Sequence, residues 1–274
     1  MEKHAILNDA QDFIVFEKKD GDNYVYAAKP SLDVMRQFYE QSIANPNDRE
    51  IPAFQQHYWE FDETEGIRGS NAFLALRLDR QTLRPLGLWI PSLLEAKALE
   101  SQGKLENGVY RDYGFVVYDR NSEIDLVQQG NQLNLQLPLI VPFRALDYNV
   151  QEKYPKPSLV KSPMGIISGE KASKEIDSLD YNNGLSDYKR TNWAFYGINR
   201  LFRRSLGDWG ADWDLYNSNS AGRVDWVCGE ASRTDLEEAI ESLMKREFSE
   251  KIRDLETQRK ERRDFLLASL NTSV

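Results

Sequence analysis

From Thr234 to about Leu270 the chain contains neither glycine nor proline, and no other stretch of that length lacks both. A run of this kind constrains the fold most, because helix breakers are what end a helix. Thr234-Asp-Leu-Glu237 has the pattern of a capping box, so the spacing predicts one helix from there. At 1.5 Å per residue, roughly 35 residues span about 50 Å. Leu236, Ile240, Met244, Phe248, Ile252 and Leu255 step by four, four, four, four and three, an apolar stripe on a charged rod. The basic run at 258–263, QRKERR, interrupts the stripe before Phe265, Leu266 and Leu267 resume it. That break argues against one uninterrupted coiled coil and marks an elbow or the point where the helix leaves its own body. A rod this long in a chain of 274 residues is expected to lean on another molecule. Phe248, Ile252, Leu255, Phe265 and Leu266 are therefore candidate partner-binding residues.

The rest of the chain supplies the body. Residues 13–18 and 23–28 are rich in aromatic and β-branched side chains, and Asp20-Gly21 between them suits a tight turn, which predicts a hairpin. A helix opens at Pro30-Ser31, with Met35, Phe38 and Tyr39 as its apolar stripe. His57 near Glu60 and Asp62 invites a metal reading. In an extended segment, however, His57 shares a face with Trp59 and Phe61, while the two carboxylates point the other way. Strands are expected at 72–79, 85–90 and 110–119, and a capping box at Ser92-Leu-Leu-Glu95 starts a helix stopped by Gly103. Residues 133–141 alternate cleanly, with Leu133, Leu135, Leu137, Leu139 and Val141 on one side, and predict a one-sided strand that 124–127 can pair with. Pro138 suggests an edge or a bulge there.

Residues 149–180 change character. Pro155, Pro157 and Pro163 fall close together, followed by Gly165 and Gly169 among Lys, Ser and Glu, which reads as a long connection or extended arm. GIISGEKAS lacks the spacing of a phosphate loop.

Residues 186–231 hold four of the six tryptophans and the single cysteine. A helix is expected over 191–206, burying Ala194, Phe195, Ile198, Leu201 and Phe202. That model leaves Trp193, Tyr196, Arg200, Arg203 and Arg204 exposed as a partner-binding surface. Lys189, Arg190, Arg200, Arg203 and Arg204 against Asp187 give this segment a balance of +4. Arginine beside Tyr and Trp suits phosphate and base-stacking contacts, which makes the face 189–204 a candidate nucleic-acid surface. The same residues suit ion pairing with the nearby Asp208, Asp212 and Asp214. The loop 208–225 carries those three aspartates with Asn217 and Asn219, oxygen donors of the kind a divalent cation takes. It fails the EF-hand register at the twelfth position, Cys228. Trp209, Trp213 and Tyr216 beside Asp and Asn resemble a carbohydrate surface in composition. Val224, Trp226 and Cys228 alternate with Arg223 and Asp225, so Cys228 is expected to be buried.

A net charge of −9 argues against wholesale binding to nucleic acid or anionic lipid, which needs a positive field. One cysteine excludes an internal disulfide and any multi-thiolate metal site. With two histidines and no G-x-S-x-G, neither a cysteine nucleophile nor a serine triad is indicated, and no cofactor is implied. No signal peptide or 18-residue apolar run is read, so a cytoplasmic location without membrane contact is expected.

The expected fold is α+β. A mixed, largely antiparallel β-rich region with two helices covers 1–148, an extended connection 149–185, and an aromatic-rich region with the long helix 186–274. The expected role is a non-enzymatic structural or assembly subunit that self-associates or docks on a protein partner, a virion component among them. The alternatives are a ligand-binding module for a divalent cation or carbohydrate at 208–225, a carboxylate- or metal-dependent enzyme acting on a phosphoester or glycoside, and a nucleic-acid-associated subunit through 189–204.

Overall fold

The structure, a computed structural model, describes residues 12–19, 21–29, 32–43, 60–64, 66–118, 125–151, 154–182, 198–204, 206–212, 215 and 219–271. The strands in chain order are β1 (Asp12–Lys18), β2 (Asn23–Lys29), β3 (Glu60–Asp62), β4 (Gly66–Ser70), β5 (Leu88–Trp89), β6 (Arg111–Val117), β7 (Leu139–Pro142) and β8 (Leu146–Gln151). Then come β9 (Tyr154–Leu159), β10 (Ile167–Ser168), β11 (Tyr181–Asn182), β12 (Ile198–Arg203), β13 (Trp209–Asp212), β14 (Asn219–Arg223) and β15 (Val227–Ser232). The helices are α1 (Leu32–Ile43), α2 (Ala72–Leu78), α3 (Leu93–Ser101), α4 (Asp125–Gln132), α5 (Gly169–Asp177) and α6 (Arg233–Asn271). The architecture is α+β.

β1 and β2 form the expected hairpin, with Gly21 at φ +66° in its turn. β15 pairs with the other edge of β2, giving the sheet order β1-β2-β15-β5. Flanked on both sides, β2 buries Val25, Tyr26, Ala27 and Ala28 in succession. The larger sheet has the order β10-β7-β6-β12-β13-β11, and only β11 and β13 run parallel. β6 and β12 lie at its centre, and every residue of both is buried. A cluster of rings covers β6, with Phe115 edge-on to Phe143 at 5.7 Å and tilted against Phe73 at 6.0 Å. At Gly114, φ is +147°, and a Cβ there would press into the carbonyl oxygen of Val141 on β7. Two strands approach too closely at that point for any side chain.

Several segments differ from the sequence expectation. Residues 72–78 form a helix, not a strand. Asn71 caps it by accepting the Leu74 amide at 2.8 Å, and every residue of α2 is buried. A segment buried all round carries no period that separates helix from strand. Residues 84–86 form a single 3-10 turn, which leaves only Leu88 and Trp89 of the expected 85–90 strand. Residues 125–132 are helical, and the first leucines after them close the helix. Leu135 N donates to Gly130 O and Asn134 N to Asn131 O, with Asn134 at φ +56°, the bonding of a left-handed helix stop. Leu133 is accordingly exposed, and the strand begins only at Leu139.

The expected arm at 149–180 is folded into the body. β8 and β9 form a two-stranded hairpin, in which Pro155 and Pro157 are tolerated because β9 is an edge. The polar stretch at 169–177 is α5, which buries Ala172 and Ile176. One continuous hydrophobic cluster draws on Tyr26, Phe115, Ala172, Leu201 and Leu236, and so crosses the expected divisions at 148 and 185. Of the expected helix at 191–206, residues 191–197 lie outside the described residues, and 198–203 is the buried strand β12.

Candidate functional site

α6 follows β15 without a single intervening residue. Its cap forms two residues earlier than the sequence pattern suggests. Ser232 Oγ accepts the Asp235 amide at 3.2 Å, and the Asp235 carboxylate accepts the Ser232 amide at 3.0 Å. Glu237, expected to complete the box from Thr234, instead pairs with Arg233 at 2.6 Å. The first two turns are anchored through Leu236 and Ala239, both buried against the body. Beyond them the expected apolar stripe is exposed. Ile240 is 44% exposed, Met244 65%, Phe248 67%, Ile252 43% and Leu255 64%. Solvent-facing pairs such as Glu241–Lys245 at 3.2 Å support the rod, adding a few tenths of a kcal/mol each.

The anchored and exposed apolar residues do not share a face. Each residue advances roughly 100° round the axis. Met244, Phe248, Ile252 and Leu255 fall within a sector of roughly 80°, centred roughly 140° away from Leu236 and Ala239. The exposed stripe is thus a second face of the helix, unconnected with the one that docks on the body. Phe248, Ile252 and Leu255, expected as partner-binding residues, are exposed on that second face. Phe265 and Leu266 belong to the same helix, with side chains outside the described residues.

The arginine surface expected near 200 is internal. Arg200 is 2% exposed, and its Nη2 and Nε lie 2.6 and 3.0 Å from Oδ1 of Asp112 on the neighbouring β6. Its guanidinium also lies 5.0 Å from the centre of the Tyr110 ring. Arg203 is buried too, pairing with Glu100 of α3 at 2.9 Å and donating to Glu106 O at 3.2 Å. Arg204 is half-buried, its guanidinium 3.8 Å from the Tyr181 ring centre. Arg200 and Arg203 cannot reach a partner, because folding has already supplied each with a carboxylate. Those carboxylates, Asp112 and Glu100, lie far from the two arginines in the sequence. Trp193 and Tyr196 lie outside the described residues.

Asp208 immediately precedes β13 and Asp212 is its last residue, roughly 13 Å away along an extended strand, and Asp214 lies outside the described residues. No group of three or more His, Cys, Asp or Glu converges on a metal position among the described residues. Trp209 is buried, packed 5.1 Å from Tyr113 with its Nε1 donating to Glu100 at 2.6 Å, which removes it as a carbohydrate platform. His57 lies outside the described residues; Glu60 and Asp62 both face Arg68, at 3.8 and 3.3 Å. Cys228 is fully buried, as its alternation with Asp225 and Arg223 predicts, and burial pushes its thiol well above the usual range, so it is no nucleophile.

Two features escaped the sequence reading. An open cleft of about 410 Å³ is lined by Lys29, Met35, Glu106, Asn107, Arg223 and Asp225, from segments far apart in the chain. Its charged walls engage one another or the body: Lys29 lies 3.7 Å from Glu106, and Arg111 holds Asp225 at 2.8 Å. The second is that Glu237, Glu241, Arg259 and Arg262 share the exposed apolar sector of α6, which projection at 3.6 residues per turn would have revealed. No helix among the described residues is long and apolar enough to cross a membrane. Comparison with family models, with curated proteins and with solved structures gives no match to this chain, so the geometry of α6 and its body stands alone as the guide to function.

Proposed function

We propose that this chain is a non-enzymatic assembly subunit that docks on a protein through α6. The observation that carries the reading is the exposure of Met244, Phe248, Ile252 and Leu255 on a face the body does not use. Isolated helices gain little stability from propensity alone, so a rod that projects beyond its first two turns needs a packing partner. A contiguous exposed apolar face flanked by charge is the usual mark of an association surface. A place in a larger particle, such as a virion, belongs to the same proposal.

Phe248→Glu tests it. In dilute, monomeric protein the substitution leaves the melting temperature within about 1 °C, because an exposed position is worth less than about 0.5 kcal/mol. A marked fall in melting temperature would mean that the body covers Phe248, and the reading would fail. Among the described residues of 208–225, Trp209 is buried and Asp208 and Asp212 belong to no acidic group that could hold a metal, so nothing there favours the cation or carbohydrate reading. The nucleic-acid reading of 189–204 loses Arg200 and Arg203 to internal ion pairs.

A further inference from the structure

We infer that the occupant of the exposed α6 face is a second copy of this chain, running antiparallel about a two-fold axis midway between Phe248 and Ile252. The inference rests on the assembly reading above and adds the partner and its register. Between residues 237 and 262, only eight residues fall in the exposed sector. In order they are Glu237 and Glu241, then Met244, Phe248, Ile252 and Leu255, then Arg259 and Arg262. The face is acidic at one end, apolar in the middle and basic at the other, and all eight are exposed.

Such a face complements itself only when turned end for end. A parallel copy would set Glu241 against Glu241 and Arg259 against Arg259, which costs affinity. A two-fold axis makes the contacts reciprocal, so each residue must find its partner at the mirrored position. Turned about the midpoint of Phe248 and Ile252, Phe248 meets Ile252 and Glu241 meets Arg259. Met244 falls within one residue of Leu255, and Glu237 within one residue of Arg262. One axis therefore satisfies two apolar and two ionic pairs to within about 1.5 Å along the helix, and symmetry doubles them. The pairs Arg233–Glu237 and Glu241–Lys245 within one helix are exposed and weak, so both glutamates are available to exchange partners. The same register brings residue 266 of one copy level with Thr234 of the other, so the end of each rod reaches the other's anchored first turn.

The test uses the full chain. Glu241→Cys and Arg259→Cys are made singly and together. Positions 241 and 259 lie about 27 Å apart on one helix, so no bond forms within a chain. Cys228, fully buried, does not compete. The double variant is expected to form a reducible interchain dimer under mild oxidation, and either single variant none. In parallel, Glu241→Arg is expected to raise the dimer dissociation constant about tenfold, and adding Arg259→Glu to return it to within about threefold of the parent. Dimer from Glu241→Cys alone would mean a parallel pair and overturn the inference. An oligomer that neither cross-links in the double variant nor responds to the charge exchange would overturn the register. A chain that stays at 31.7 kDa by light scattering would overturn the second copy as occupant. In that last case the assembly reading survives if Phe248→Glu leaves the melting temperature unchanged, and the partner is then a different protein.

Discussion

Asp112→Ala is the sharpest probe of how the body is built. Asp112 and Arg200 are 4% and 2% exposed, on adjacent central strands, with the guanidinium 2.6 Å from the carboxylate. Removing the carboxylate takes an ionic partner from a buried cation that lies beside the stacked rings of Tyr110 and Phe202. Breaking a buried pair from one side costs about 3–5 kcal/mol. With a urea slope of about 3 kcal/mol per molar, the unfolding midpoint should fall by about 1–1.7 M. Asp112→Leu combined with Arg200→Met should recover most of that loss, because apolar residues of similar volume escape the desolvation cost of the ions. The pair is read by urea titration followed by tryptophan fluorescence. A cost under about 1 kcal/mol for Asp112→Ala, the worth of an exposed ion pair, would refute the reasoning. It would place Arg200 in water, as on the outer face of a helix, and β12 could not then be a central strand.

Asp79 is wholly buried, and burial pushes its carboxyl from its ordinary 3.8 up to about 6, despite Arg84 at 2.9 Å and the Ile90 amide at 2.8 Å. A folded value above the unfolded one means that the native state holds the proton more tightly. The associated stability is full below pH 3.8 and is lost as pH rises through about 6, about 3 kcal/mol in all. The stability curve of the parent should therefore fall between pH 4 and 6.5 relative to that of Asp79→Asn, and parallel curves would refute the shift. Gly114→Ala should cost at least 2 to 3 kcal/mol, roughly, by calorimetry, because its Cβ would collide with backbone of β7. Gly21→Ala, with nothing within 4 Å and only its φ of +66° to oppose it, should cost about 1 kcal/mol. Equal costs at the two positions would mean that β6 and β7 do not approach as described.

What the sequence made legible was local. The β1–β2 hairpin follows from a turn pair between two β-rich runs, and α3 from the Ser92–Glu95 box, which forms as expected. The length of α6 follows from the absence of breakers. What stayed hidden depended on distant residues. Arg200 and Arg203 look like a solvated face because their carboxylates lie 88 and 103 residues away in the chain. Leu133 and Leu135 imitate a strand because they flank the left-handed residue of a helix stop, Asn134, which is asparagine instead of glycine. On α6 the apolar residues were visible, but Leu236 was placed in line with Phe248. A stripe that steps by four drifts by roughly 40° each time, so its beginning and end cannot touch the same neighbour.

The junction between β15 and α6 has a mechanical consequence. An interior strand of a sheet runs straight into the rod, and Ser232 and Asp235 lock the corner. Nothing there can act as a swivel. The bearing of a lever about 58 Å long is dictated by the plane of the sheet, and a tilt of roughly 10° at its root would sweep the far tip by about 10 Å. Whatever grips the shaft is therefore held at a set angle to the body, and spacing within any assembly built on it would be written in the orientation of a single β-strand.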